Sequence, residues 1–276
     1  MKQVCVPPEI SELFFNREAE TGRVLAAIKE RQSLLISGPA GIGKTRLLAE
    51  VIKRLPREQS KSCIYLAAVT GLRPTLTGLL RNLYAREDPT LRRQMRADGF
   101  RSADFKGWFK AQPSSHLKGT LYRAVESRSY WIFLDQVSVM TAAVAKVVKE
   151  LVRMRNTPVY LAVRDLKAID AGHLLNLYWS EKHRVCLGPL PGKAARELLD
   201  SCVAQFGLSR VNPSVFCPEV LRLSGRVPAA IVQMCALAAE PHYQSESGLK
   251  RRLAHLDSLL GRRDELPRPA RVTERV

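Results

Sequence analysis

Gly38-Pro39-Ala40-Gly41-Ile42-Gly43-Lys44-Thr45 fits the pattern G-x-x-x-x-G-K-[ST] at every fixed position. Before it stands Ser33-Leu34-Leu35-Ile36-Ser37, an apolar run bounded by turn residues that predicts a buried parallel strand. After it, Arg46-Leu47-Leu48-Ala49-Glu50-Val51-Ile52 has helical spacing. A strand, a glycine loop and a helix start are the context in which this pattern cradles phosphate. Glycines let the backbone turn tightly and bring successive N–H groups against phosphate oxygens, while the helix N-terminus adds partial positive charge. In this reading Lys44 reaches the β- and γ-phosphates and the Thr45 hydroxyl ligates Mg²⁺. Arg46, the next residue, is counted with Gly38–Thr45 as nucleotide-binding.

A second anchor lies about ninety residues on, in Tyr130-Trp131-Ile132-Phe133-Leu134-Asp135-Gln136. An apolar strand ending in a carboxylate supplies the other half of a Mg²⁺ site, with Asp135 opposite Thr45. Pro158-Val159-Tyr160-Leu161-Ala162-Val163 predicts a further strand ending at Arg164-Asp165, and Arg184-Val185-Cys186-Leu187 the last one. Arg164 at a strand tip is placed to sense a γ-phosphate, or else pairs with Asp165 or a surface acid. Cys63-Ile64-Tyr65-Leu66-Ala67-Ala68-Val69 reads as another buried strand, and Leu76, Leu79, Leu80 and Leu83 as one face of a helix. The fold class expected is α/β, a three-layer P-loop sandwich around a central parallel sheet.

Past Gly188 the strand signals stop. Pro189 and Pro191 mark a boundary, and helical patterns follow over Ala194–Phe206, Val220–Leu223, Ile231–Leu237 and Leu249–Leu260. The division expected is an ATPase core over 1–188, a small all-helical lid over 189–260, and a basic, disordered tail over 261–276.

The chain has 276 residues, 46% of them hydrophobic and 25% charged, enough to bury a sizeable core. Lys+Arg number 44 against 26 Asp+Glu, a formal charge of +18 that makes polyanions, nucleic acid first, the natural partner class. The charge concentrates between about Leu91 and Arg128, where Arg92, Arg93, Arg96, Arg101, Lys106, Lys110, Lys118 and Arg123 alternate with Phe100, Phe105, Trp108 and Phe109. Two readings stand: the aromatics stack on bases beside phosphate-binding cations, or they pack inward beneath solvated charge.

The cysteines, Cys5, Cys63, Cys186, Cys202, Cys217 and Cys235, form no C-x-x-C pair, which argues against zinc and for small core residues in a reducing compartment. Nothing after Met1 has the length of a signal peptide or membrane span, so a cytoplasmic location is expected and no membrane partner.

Together these stretches resemble the AAA+ superfamily, and within it the STAND signal-transduction ATPases and the origin-recognition-like ATPases, over roughly residues 12 to 240. Gly38–Thr45 is similar to Walker A and Ile132–Asp135 to Walker B. Phe14-Phe15-Asn16-Arg17-Glu18-Ala19-Glu20 is similar to the hydrophobic-hydrophobic-Gly-Arg-Glu-x-Glu box, with Asn16 in place of Gly. The resemblance implies that Arg17 faces nucleotide phosphate or a neighbouring subunit. Taken alone, Phe14–Glu20 also reads as a helix start with acids in its first turn. Gly225-Arg226-Val227-Pro228 resembles the Gly-x-Pro lid motif, which implies that Pro228 lies against the adenine; by itself it reads as a C-cap followed by a helix-starting proline.

Hydrolytic relatives carry Glu where this chain has Gln136. An amide orients water but is a very poor general base, so slow turnover is expected. The resemblance implies ATP with Mg²⁺ as ligands, a homo-oligomer, and output through a partner chain. The open alternatives are a nucleic-acid-engaging switch and a STAND-type switch controlling a protein partner, with a phosphotransferase on the same loop third.

Overall fold

Leu34, Leu35, Ile36 and Ser37 form strand β1 (Leu34–Ser37), buried along its whole length in the computed structural model. The structure describes residues 16–137, 140–154, 156–164, 180–208, 212–240, 243–245 and 248–249. A strand with no polar alternation must be covered on both faces, which is the condition of a central strand in a parallel sheet. β2 (Cys63–Leu66), β3 (Trp131–Val137), β4 (Val159–Val163) and β5 (Arg184–Cys186) complete that sheet. The order is β2-β3-β4-β1-β5 and every pairing is parallel. Flanking helices make this the expected α/β P-loop sandwich. The expected strand over Cys63–Val69 is shorter, since β2 ends at Leu66 and Val69 returns only as an isolated bridge to Val137.

Helix α1 (Glu18–Lys29) packs on α2 (Lys44–Arg54) and on β5, and α2 also touches β3. A short α3 (Arg57–Lys61) leads into β2. The crossover from β2 to β3 is a helical assembly of its own: α4 (Leu72–Ala85), α5 (Pro89–Ala97), α6 (Phe105–Ala111) and α7 (Ser114–Ser127). Asp88 starts α5 with its side chain accepting from Leu91 N at 2.9 Å, and Pro89 takes the first helical position. The other Asp88 oxygen accepts from Tyr130 Oη at 2.8 Å, so this fully buried acid joins the cap to the start of β3. Helix α8 (Ala142–Arg153) packs on β4 and α4. Among the described residues no helix is long and apolar enough to cross a membrane.

Two compact units divide the chain, Arg17–Gly188 and the residues from Pro189 onward, with Asn16 grouped in the second. The second unit contains α9 (Gly192–Gln205), α10 (Pro213–Leu223) and α11 (Pro228–Ala239). These bury Leu199, Cys202, Phe216, Cys217, Ile231 and Cys235 between them. Helix α10 begins well before the expected Val220, because Asn212 caps it and Pro213 opens it. Leu249, expected to begin a helix, instead belongs to a two-stranded antiparallel ribbon, β6 (Gln244–Ser245) with β7 (Gly248–Leu249). The remainder of the expected helix to Leu260, the tail over 261–276, and Phe14 and Phe15 lie outside the described residues.

Candidate functional site

The register of the sheet sets the site's position. Ser37 pairs with Val163 and with Cys186, and Val163 pairs with Val137. The loop after β1, the end of β3 and Arg164 therefore emerge together at the carboxyl edge, where open α/β sheets bind ligands.

At the loop, Gly38 has φ 155°, and a Cβ there would lie 2.7 Å from the main-chain oxygen of Leu187. Glycine is thus demanded by the neighbouring strand end as well as by the turn. Gly43, at φ 103°, precedes Lys44, the first residue of α2. The Lys44 ammonium donates to the carbonyls of Gly38 at 2.8 Å and Pro39 at 3.0 Å. Ile42 is buried and Thr45 exposed, while Arg46 is half-buried.

Arg17 lies behind the loop and is only 6% exposed. Its guanidinium donates to Glu20 Oε1 at 2.8 Å, to the Ile42 carbonyl at 3.5 Å and to the Gly188 carbonyl at 2.6 Å. One planar fork of donors joins the start of α1, the middle of the loop and the chain leaving β5.

Asp135 is 1% exposed. Its Oδ1 accepts from the Gln136 amide at 2.7 Å and its Oδ2 from the Tyr65 hydroxyl at 2.7 Å. Burial, and then the bond to this carboxylate, pushes the Tyr65 phenol well above its ordinary value. The β3–β4 register shifts between Leu134 and Val137, and Gln136 sits in that irregularity at φ 42° with its side chain exposed. An extra residue of this kind re-aims a side chain, here the one immediately after the carboxylate. Arg164 is half-buried at the tip of β4.

The donor set suits a hard cation. A buried carboxylate with both oxygens held in place, and a hydroxyl from the first turn of α2, are oxygen ligands of the kind Mg²⁺ takes alongside phosphates. Pro228 belongs to the other unit, where it is the first residue of α11. It follows two residues of positive φ, Gly225 at 57° and Arg226 at 59°, the second held by its amide on Ser224 Oγ at 3.2 Å.

The basic aromatic segment resolves in favour of inward packing. Trp108 is fully buried, Phe105 and Phe109 are nearly so, and Phe100 packs against the same core. The Phe105 ring lies 4.8 Å from Tyr84, and Trp108 Nε1 donates to Asp98 Oδ2 at 2.7 Å. Burial keeps Phe105, Trp108 and Phe109 from stacking on bases, while Phe100 is half-buried. Several arginines also bind protein oxygens: Arg73 the Phe109 carbonyl, Arg86 the carbonyls of Lys61, Cys63 and Asn82, and Arg92 the Glu87 carboxylate. Arg93, Arg96, Arg101, Lys106 and Lys110 are exposed.

Tyr65 is the site residue that sequence reasoning missed. It stood inside an expected strand, but its meaning depends on β2 lying next to β3, and long-range strand order is not encoded in local periodicity.

The model of the AAA ATPase domain family matches residues 13–174. Among solved structures, a Walker-type ATPase of Pyrococcus abyssi is similar with TM-score 0.56 and 14% identity, covering 92% of this chain and 75% of that one. A Signal Transduction ATPase with Numerous Domains (STAND) protein with a tetratricopeptide repeat sensor, from Pyrococcus horikoshii, is similar with TM-score 0.52 and 14% identity. That match covers 95% of this chain but 34% of the other, so the present chain spans about a third of that protein's length. At such identity the likeness is one of fold. No curated protein matches the chain significantly. A glycine loop joined to a helix start, a buried strand-end carboxylate and a family match over most of the first unit lead to one conclusion: the chain belongs to the AAA ATPase domain family.

Proposed function

We propose that this chain is a nucleotide-controlled switch that binds ATP with Mg²⁺ on Gly38–Thr45 and hydrolyses it slowly. The observation that carries the reading is the shared position of the loop, Asp135, Gln136 and Arg164 at one edge of a parallel sheet. In this reading phosphate oxygens replace the Gly38 and Pro39 carbonyls as partners of Lys44. Thr45 and Asp135 serve the metal, which when bound neutralises charge on the polyphosphate. Gln136 orients water without removing its proton, and Arg164 reads the γ-phosphate. Arg17 acts from behind, as the tie that keeps the loop's shape. The unit from Pro189 serves as a lid, with Pro228 toward the adenine, and closure controls self-association. Five free cysteines among the described residues fit a reducing cytoplasm.

Output through nucleic acid rests on the exposed cations of α5 and α6, which neutralise phosphates without base stacking. Control of a protein partner is the second reading, and the burial of Phe105, Trp108 and Phe109 favours it.

Two experiments test these readings. Lys44→Ala should abolish ATP binding measured with a fluorescent analogue, and wild-type affinity in that variant refutes the phosphate-loop assignment. Anisotropy of a labelled duplex, with ATP, ADP or no nucleotide over a salt series, separates the outputs. Binding only with ATP, falling steeply with salt, selects nucleic acid; no binding at low salt in any state selects the protein partner.

A further inference from the structure

The carboxylate that ends β3 is held by two donors of different origin. One is local and comes with the backbone: the Gln136 amide, turned onto Oδ1 by the bulge. The other comes from a different strand. In the β2–β3 register Tyr65 pairs with Phe133, and Asp135, two residues further on, points to the same face. The Tyr65 side chain therefore leans along β3 and sets its hydroxyl 2.7 Å from Asp135 Oδ2.

Tyr65 is itself fixed. Asn82 on α4 donates through Nδ2 to the Tyr65 carbonyl at 3.3 Å and to the Gly78 carbonyl at 2.9 Å. The Asn82 side-chain oxygen accepts from Arg86 Nη1 at 3.0 Å. A chain of hydrogen bonds thus runs from the helical crossover to the strand-end acid.

We infer that Tyr65 is a positioning residue of the Mg²⁺ site, holding Asp135 in the orientation the metal requires; the inference rests on the Mg²⁺·nucleotide reading above. An ionised carboxylate offers about four lone-pair sites, so two donors leave room for a metal and its water. A carboxylate tethered on only one oxygen is less tightly oriented about its Cβ–Cγ bond than one tethered on both, and that extra freedom must be surrendered when the metal arrives. A partner that prepays this cost affects affinity for the metal and leaves the phosphate loop alone. Partners of this kind, one bond removed from a metal, are worth about 10- to 100-fold in metal affinity.

The test is Tyr65→Phe, which keeps the ring and removes the hydroxyl. Binding of fluorescent ADP is measured with excess EDTA and across a Mg²⁺ titration, with thermal unfolding of both proteins to confirm that the variant folds. Wild type should bind in EDTA and tighten with Mg²⁺. The variant should match it in EDTA to within about twofold, and should need about tenfold more Mg²⁺ to reach the same tightening. A merely structural role would lower affinity equally in both conditions. Identical Mg²⁺ titrations for the two proteins overturn the inference, as does a variant that loses affinity equally with and without metal. Wild type that binds nucleotide without responding to Mg²⁺ overturns it by removing the metal from Asp135. Wild type that binds no nucleotide in either condition overturns the phosphate-loop reading itself, and the inference falls with it.

Discussion

Arg17 Nη2 donates to the main-chain oxygen of Gly188 at 2.6 Å, joining the first turn of the described chain to a residue 171 positions later. The same guanidinium holds Glu20 and the carbonyl of Ile42 inside the phosphate loop. Removing it leaves two main-chain oxygens and a largely buried acid short of their donor. Arg17→Ala should lower stability by about 2–3 kcal/mol, read from urea unfolding, and weaken ATP binding as the loop loses its support. An unchanged midpoint contradicts this account of Arg17.

Gln136 stands after the strand-end carboxylate at positive φ, with its side chain exposed. If slow turnover reflects a missing base, Gln136→Glu should raise steady-state phosphate release by about tenfold or more, since a positioned general base contributes on the order of 10²- to 10⁴-fold. Unchanged or slower release would place the rate limit elsewhere.

Asp98 accepts from Trp108 Nε1, His116 Nε2 and Gln94 Nε2. Burial works to raise its carboxyl, but these three donors outweigh it and hold the group below its ordinary value. A depressed folded value stabilises the protein above the unfolded carboxylate pKa, near about 3.9, and that stability is lost as pH falls through the lower folded value. Asp98→Asn should therefore be less stable than wild type at pH 7 and converge toward it below about pH 4 in thermal scans. A stability difference that persists undiminished at pH 3 counts against the ion's role.

Cysteine reactivity should separate sharply by position. Cys186 is exposed at the end of β5, whereas Cys63, Cys202, Cys217 and Cys235 are buried. Burial pushes the Cys63 thiol up to about 11, against the opposing influence of Arg86. Brief alkylation at pH 8 followed by peptide mapping should modify Cys186 at least about tenfold faster than these four. Equal rates would mean that the cores open readily.

What the sequence made legible is what local pattern encodes. Ser33–Ser37 and Tyr130–Gln136 announce themselves as buried runs, and Gly38–Thr45 carries its own geometry. Strand order does not appear in any single run, because β2 and β3 find each other across the whole crossover, and so the Tyr65–Asp135 bond was invisible. For Arg17 the family resemblance implies a place facing phosphate or a neighbouring subunit, and the local pattern alone offers a helix start. Its three acceptors become apparent only when Ile42 and Gly188 are brought beside it. The aromatics at 105, 108 and 109 have one spacing whether they face a base or a core, and Tyr84 and Asp98, their actual neighbours, decided the matter.

The crossover between Leu66 and Trp131 also governs how the molecule is built. β2 is an edge strand whose sheet partner arrives only after four helices have been made. Those helices contact one another locally, so they can collapse early and shorten the gap that the β2–β3 pairing must close. The hydroxyl of Tyr65 meets Asp135 only when that pairing zips to its end. A chain in which β2 has not yet paired with β3 to its end therefore holds Asp135 without its cross-strand donor.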